Sequence, residues 1–133
     1  MRYLLDTHAW LWAVLGDKRL GRQARAALRG LGTAGRIGLA AISLKEASWL
    51  LAHGRVVPSQ TPWPTWLSDA AAAPGLEVLP LTVEVAVESE RFPDDFPSDP
   101  ADRLIAATAR VHGLTVLTAD RALRGHQQLP TLW

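Results

Sequence analysis

Short apolar runs alternate along this chain with longer stretches in which apolar residues recur every three or four positions, the pattern of strands separated by helices. Tyr3-Leu4-Leu5 predicts a first strand, and His8 to Leu15 a helix with Thr7 as its cap and Gly16 as its stop. Leu20 to Leu31 predicts a second helix with Ala24, Ala27, Leu28 and Leu31 as its apolar stripe. Ile37 to Ile42 has the composition of a buried strand. Ser43-Leu44-Lys45-Glu46 then matches a capping box opening a helix through Ala47, Trp49, Leu50 and Leu51 towards Gly54. Pro58, Pro62 and Pro64 mark a loop, Trp66 to Ala73 a helix broken by Pro74-Gly75, and Glu77-Val78-Leu79 a strand. Thr82 caps a predicted helix to about Arg91, and Phe92 to Ser98 is a proline-rich loop. Asp99-Pro100 joins an N-cap residue to a proline at the first helical position, opening a helix that closes near Gly113. Leu114 to Leu117 predicts the last strand.

Strands separated by helices imply an α/β fold, a parallel sheet with helices on both faces. Ligands of such folds sit outside the carboxyl ends of the strands. Connectivity alone brings four acids to that edge: Asp6 after the first strand, Glu46 early in the helix after the second, Asp102 in the first turn of the helix leading to the last strand, and Asp120 after that strand. Each also has a purely structural reading. Asp6 and Asp120 suit turns, Glu46 suits the return half of the capping box with Ser43, and Asp102 suits the dipole of the helix capped by Asp99.

Several carboxylates within roughly 4–6 Å strongly disfavour full ionisation. A divalent cation resolves this, and an all-oxygen site without cysteine or clustered histidine selects Mg²⁺ or Mn²⁺ over zinc. Asp6, Asp102 and Asp120 are the expected metal ligands, with Glu46 an outer carboxylate acting through water. Such a site suits phosphodiester hydrolysis. The chain has no glycine-rich phosphate loop, no G-x-S-x-G elbow and no H-E-x-x-H motif, and His8, His53, His112 and His126 are dispersed.

Composition narrows the class. The chain has 133 residues, 48 % hydrophobic and 20 % charged, with no cysteine, so the expectation is one globular domain over residues 1–133 without disulfides. Met1 to Leu5 meets Asp6 and His8 too soon for a signal-peptide core, and no apolar run approaches a membrane span, so a soluble cytoplasmic protein is expected. The net charge is only +1, but its distribution is uneven. Six bases stand against one acid between Asp17 and Arg36, and eight acids against Arg91 alone between Glu77 and Asp102. Arg22, Arg25 and Arg29 share one side of the second helix and are the candidate phosphate-contacting residues.

The stretches Tyr3-Leu4-Leu5-Asp6-Thr7-His8, Ile42-Ser43-Leu44-Lys45-Glu46, Asp99-Pro100-Ala101-Asp102-Arg103-Leu104-Ile105-Ala106-Ala107-Thr108-Ala109 and Leu117-Thr118-Ala119-Asp120 resemble the PIN-domain ribonucleases, in particular the VapC-type toxins. Gly54-Arg55-Val56 and the closing Leu132-Trp133 extend the resemblance over essentially the whole chain. It implies a three-layer α/β/α sandwich, an acidic set of Asp6, Glu46, Asp102 and Asp120 supported by Thr7, Ser43, Asp99 and Thr118, and metal-dependent cleavage of RNA. Leu50 departs from the family, standing where many relatives carry a lysine, and Pro97 stands where many carry a histidine. Other classes compatible with the length are a PIN-like binding module without catalysis and a Mg²⁺-binding phosphoacceptor domain. The phosphoacceptor reading lacks its lysine at the end of the last strand.

Six tryptophans in 133 residues, with mean hydropathy +0.05, are a large apolar load for such a chain. Trp10 and Trp12 are not expected to face one core, Trp63 and Trp66 fall in or beside a loop, and Trp49 is expected to be buried. Surplus aromatic surface points to protein partners. The resemblance supplies two: a second copy of the chain, and an antitoxin whose C-terminal segment lies over the acidic site. The excess acidity of that site suits a basic anchor, an arginine.

Overall fold

Five short strands form one parallel sheet. They are β1 (Tyr3–Leu5), β2 (Ile37–Ala40), β3 (Leu76–Leu79), β4 (Thr115–Leu117) and β5 (Thr131–Leu132), in the order β3-β2-β1-β4-β5. The computed structural model describes residues 1–58 and 60–133. Seven helices connect the strands among the described residues: α1 (Thr7–Leu15), α2 (Arg22–Leu31), α3 (Ile42–Ala52), α4 (Trp63–Ala71), α5 (Val83–Ser89), α6 (Pro100–His112) and α7 (Arg121–Arg124). None is long and apolar enough to cross a membrane.

Alternation along the strands builds the three layers. Leu4 and Val116 point to one face, where Val85 of α5, Ile105, Ala106 and Ala109 of α6 and Leu123 of α7 cover them. Leu5, Leu39 and Leu117 point to the other, under Ala9, Trp10 and Leu11 of α1, Ala24 of α2, Ala47 of α3 and Ala70 of α4. With both faces covered, the strands are buried apolar runs, as parallel sheets require. The expected α/β/α sandwich is therefore the observed one.

Several local expectations need correction. Asp6, not Thr7, caps α1, accepting the Thr7 amide on Oδ1 at 2.8 Å, so Thr7 is the first helical residue. The Ser43–Glu46 capping box does not form. The chain passes from β2 into α3 with only Ala41 between them, so Ser43 is already helical and its buried hydroxyl turns to Thr7. α4 starts at Trp63 rather than Trp66, because Pro64 occupies the first turn, where its missing N–H costs nothing. Gly16 and Gly113 end α1 and α6 in the left-handed conformation, at φ +65° and +66°.

The tryptophans also sort differently. Trp10 is 1 % exposed and belongs to the core, whereas Trp49 is 44 % exposed. Trp12 packs against the same apolar cluster as Trp10, because the chain end folds back and sets Trp133 against it at 5.8 Å between ring centroids. Trp66 leans on that cluster from a half-buried position.

The chain end also closes α2. That helix has no side-chain cap; instead the Trp133 carbonyl oxygen accepts from the Gln23 and Ala24 amides at 2.8 and 3.3 Å. Gly21 makes this approach feasible, since a Cβ there would lie 2.7 Å from the Trp133 ring. Gly21→Ala is expected to destabilise the protein by about 1–3 kcal/mol, the usual cost of overpacking. Urea unfolding checks this, and an unchanged midpoint would show that Trp133 moves aside freely.

Candidate active site

The order of the strands locates the site. From β1 the chain steps outward to β2 and β3, then crosses back to place β4 and β5 on the opposite side of β1. The switch therefore lies between β1 and β4, where parallel α/β sheets open a crevice at their carboxyl ends. Asp6 leaves β1 at this point, with its amide bonded to the Leu117 carbonyl at 3.0 Å. Thr118 leaves β4 beside it and donates its hydroxyl to Asp6 Oδ2 at 2.7 Å. Thr118 Oγ1 also accepts the Asp120 amide at 3.0 Å, which fixes the turn into α7, where Asp120 caps Ala122 at 2.8 Å.

Glu46 arrives from α3 and is held from below. The Thr7 hydroxyl donates to Glu46 Oε1 at 2.6 Å and lies 2.8 Å from Ser43 Oγ. A hydroxyl has one proton, so when Thr7 gives its own to Glu46, Ser43 supplies the other bond. Glu46 falls in the second turn of α3, not the first as expected, because the helix starts at Ile42. Asp102 arrives from the first turn of α6, where its amide is capped by Asp99 Oδ1 at 3.0 Å. The loop before it is tied down by Arg103, whose Nε donates to the Pro97 carbonyl at 2.9 Å and whose guanidinium reaches the Phe96 carbonyl at 3.3 Å.

Asp6, Glu46, Asp102 and Asp120 thus line one cleft of about 380 Å³, together with Thr7, His8 and Trp12. Asp99 lines a neighbouring cleft. Arg22, Arg25 and Arg29 line neither. Arg22 and Arg29 are exposed on α2, and half-buried Arg25 donates to the Leu20 carbonyl at 3.1 Å. Thr7 and Ser43, expected from the resemblance as supports of the acidic set, form a buried bracket under Glu46. Sequence reasoning missed Trp49 and Lys45, which stand exposed beside the acids. Their signal was the spacing of Lys45, Glu46 and Trp49 on a single helix face.

The electrostatics follow from the crowding. Burial pushes the Asp6 carboxyl up from its ordinary value, against the hydrogen bonds from Thr118 and Thr7. Burial likewise raises Glu46, opposed by the Thr7 hydroxyl and reinforced by Asp6 and Asp99. Asp102 is pushed furthest, to about 7, first by desolvation and then by Asp99, Asp120, Asp6 and Glu46. Among the described residues no three acids or histidines stand close enough to hold a metal ion as they are placed. The donor chemistry nonetheless fits a hard divalent cation: all oxygens, no cysteine, and a carboxyl raised to about 7 by burial and then by its neighbours' charge.

Comparison with known proteins bears on the family and the fold. The PIN domain matches residues 3–127. Ribonuclease VapC22 of Mycobacterium tuberculosis is 37 % identical over 124 residues, covering 93 % of this chain and 91 % of that protein. The VapBC2 structure from Rickettsia felis, bound to a DNA fragment from its promoter, superposes with TM-score 0.73 at 16 % identity over 99 % of this chain and 98 % of that one. FitAcB from Neisseria gonorrhoeae superposes with TM-score 0.70 at 22 % identity, over 98 % and 96 %. The two superpositions carry the fold.

The raised Asp102 carboxyl makes a stability prediction for the metal-free protein. Its folded value, about 7, lies above the ordinary 3.8, so the stability it confers is complete below about 3.8 and is lost as pH rises through about 7. Chelator-treated protein should therefore melt lower at pH 8 than at pH 5. Asp102→Asn should remove much of the difference, on the order of 5 °C. Thermal melts at the two pH values check this, and an Asp102→Asn protein with the wild-type pH dependence would contradict it.

Proposed function

This chain belongs to the PIN-domain family, in its VapC branch, and from that premise we propose that it is a Mg²⁺-dependent endoribonuclease, able to use Mn²⁺, acting as the toxin of a toxin–antitoxin pair. Its single nuclease domain would span residues 1–133. The observation that carries the reading is the convergence of Asp6, Glu46, Asp102 and Asp120 on one cleft from four separate segments. The 37 % identity to a ribonuclease along nearly the full chain supports it.

In this reading Asp6, Asp102 and Asp120 hold the cation. When bound, it supplies charge neutralisation and a water acidic enough to attack a phosphodiester at neutral pH. The residues of the chain do the rest. Thr118 and the Thr7 amide lock both oxygens of Asp6, so its orientation is set before anything binds. Thr7 occupies Oε1 of Glu46, leaving Oε2 to accept a proton from a water in the cleft. Burial, which raises Glu46, improves it as a base. Asp99 fixes the first turn of α6 and thereby the reach of Asp102. Arg22, Arg25 and Arg29 lie outside the cleft, so any contact they make is with phosphates further along the RNA.

Asp6→Asn and Asp102→Asn should keep the fold and lower RNA cleavage by orders of magnitude, and EDTA should abolish it until Mg²⁺ is restored. Glu46→Gln, which keeps the bond from Thr7, should lose activity less steeply. Gel-resolved cleavage by nuclease-free preparations checks all three. Wild-type rates in Asp6→Asn would remove the acidic cleft from the chemistry.

The partners in this reading are an RNA substrate, a second copy of the chain and a cognate antitoxin. Structures similar in fold are complexes with such proteins. The excess acidity of the cleft suits an antitoxin arginine seated among the carboxylates. Light scattering at micromolar concentration should give a dimer mass, and co-expression of the adjacent small reading frame should suppress toxicity. A monomer, or undiminished toxicity, would remove the respective partner.

A further inference from the structure

A second cleft, of about 520 Å³, opens beside the acidic one and shares Thr7, His8 and Glu46 with it. Its remaining wall has a different chemistry. From α3, Ile42, Trp49 and Leu50 give it an apolar side and Lys45 a cation, while Asp99, Pro100 and Ala101 close it from the start of α6. Trp49 is 44 % exposed, while the other five tryptophans are buried or half-buried. It is also held in place. The His53 ring stacks on it at 4.3 Å between centroids and 20° between planes, and His53 Nδ1 is bonded to the Trp49 carbonyl oxygen at 2.8 Å. The Arg55 guanidinium lies over the indole, 5.5 Å from its centroid, so a base landing on the face it covers would turn it outward. The result is a braced aromatic surface with Lys45, His53 and Arg55 around it, three residues beyond Glu46 on the same helix face.

Resting on the ribonuclease reading above, we propose that Trp49 stacks a nucleobase of single-stranded RNA adjoining the phosphate cleaved in the acidic cleft, with Lys45 and Arg55 facing the neighbouring phosphates. Aromatic side chains flanked by cations are the standard means of holding single-stranded nucleic acid, because every base offers a π-face and every linkage a negative charge. The bracing matters because a pre-positioned ring loses little freedom when a base lands on it. The acidic cleft repels phosphates unless they meet its cation, so a grip beside it is what brings the chain of nucleotides into register. A purely apolar protein segment would leave Lys45 and Arg55 without a counter-charge, which is why RNA is the occupant favoured here.

The test uses a random-sequence single-stranded RNA pool, with the fragment ends sequenced to find the cut. An oligoribonucleotide carrying that site is then made with single abasic residues at each position around it. With wild-type protein, one abasic position beside the cut should lower kcat/KM by about tenfold, mainly through KM. Trp49→Ala should lose about as much on intact RNA and become indifferent to that abasic position, while Trp49→Tyr should retain most of the activity and the sensitivity. Asp6→Asn should instead lose kcat. The position is exposed and alanine is a strong helix former, so Trp49→Ala should fold. If wild-type protein cuts the RNA and Trp49→Ala cuts it equally well, the stacking site falls while the ribonuclease reading stands. If Trp49→Ala loses only its capture by a co-expressed protein inhibitor, the surface is a protein contact and the proposal is overturned. If wild-type protein cuts no RNA at all, the ribonuclease reading fails and the stacking site fails with it.

Discussion

Burial of several mutually repelling carboxylates at the carboxyl edge of the sheet is the constraint around which the rest of this molecule is arranged. Asp6, Glu46, Asp102 and Asp120 share one cleft, and desolvation first, then the charges of its neighbours, raise the Asp102 carboxyl to about 7. A chain selected for stability alone would disperse these charges, since each raised carboxyl costs folding energy at neutral pH. The supports around them are correspondingly dense. Asp6 has partners on both oxygens, Glu46 has Thr7 and Ser43 beneath it, and Asp99 and Asp120 spend an oxygen each capping a helix. Under the function proposed here, a cation would relieve this cost and so tie stability to metal occupancy.

The sheet makes this arrangement possible because its crossover puts Asp6 and Thr118 side by side. β1 and β4 are neighbours in space though separated by most of the sequence, and the Asp6 amide bonded to the Leu117 carbonyl sets their ends level. Arg103 does a similar service for α6. It binds the carbonyls of Phe96 and Pro97 and so anchors the proline-rich loop that delivers Asp99 and Asp102. The loop that delivers Asp99 and Asp102 to the clefts is thus pinned by a side chain rather than by regular structure.

How much of this was legible in the sequence depended on whether the signal was topological or local. The four acids could be placed together from strand and helix order alone, because connectivity fixes which end of each element faces the crevice. The details at helix starts were not legible, since they turn on one or two residues of chain. Asp6 rather than Thr7 caps α1, and Ser43 with Glu46 imitates a capping box while serving Thr7. β5 and α7 were not predicted, being two and four residues long, too short to display a period. Trp49 was misjudged because its helix carries apolar residues on more than one face, and only the packing of Ala47 and Leu51 inward shows which face is left outside.

That outward face makes α3 the hinge of the functional argument. Ile42, Lys45, Glu46, Trp49 and Leu50 follow the i, i+3, i+4, i+7, i+8 spacing of an amphipathic stripe, yet together they line an open cleft, and only Ile42 and Leu50 among them also pack against the core. A stripe mixing a cation, a carboxylate, an indole and two aliphatic side chains makes a poor core, because burial would strand both charges without partners. As the wall of a groove it is chemically consistent. Glu46 turns towards the acids and is fixed there by Thr7, while Trp49, one turn further on, is fixed by His53. One helix therefore carries a group suited to proton transfer and a group suited to base stacking at a rigid separation of about 5 Å along its axis. Moving either by a single residue would rotate it about 100° away from the groove, so under the proposed function the spacing of Glu46 and Trp49 would itself constrain where a bound strand is cut.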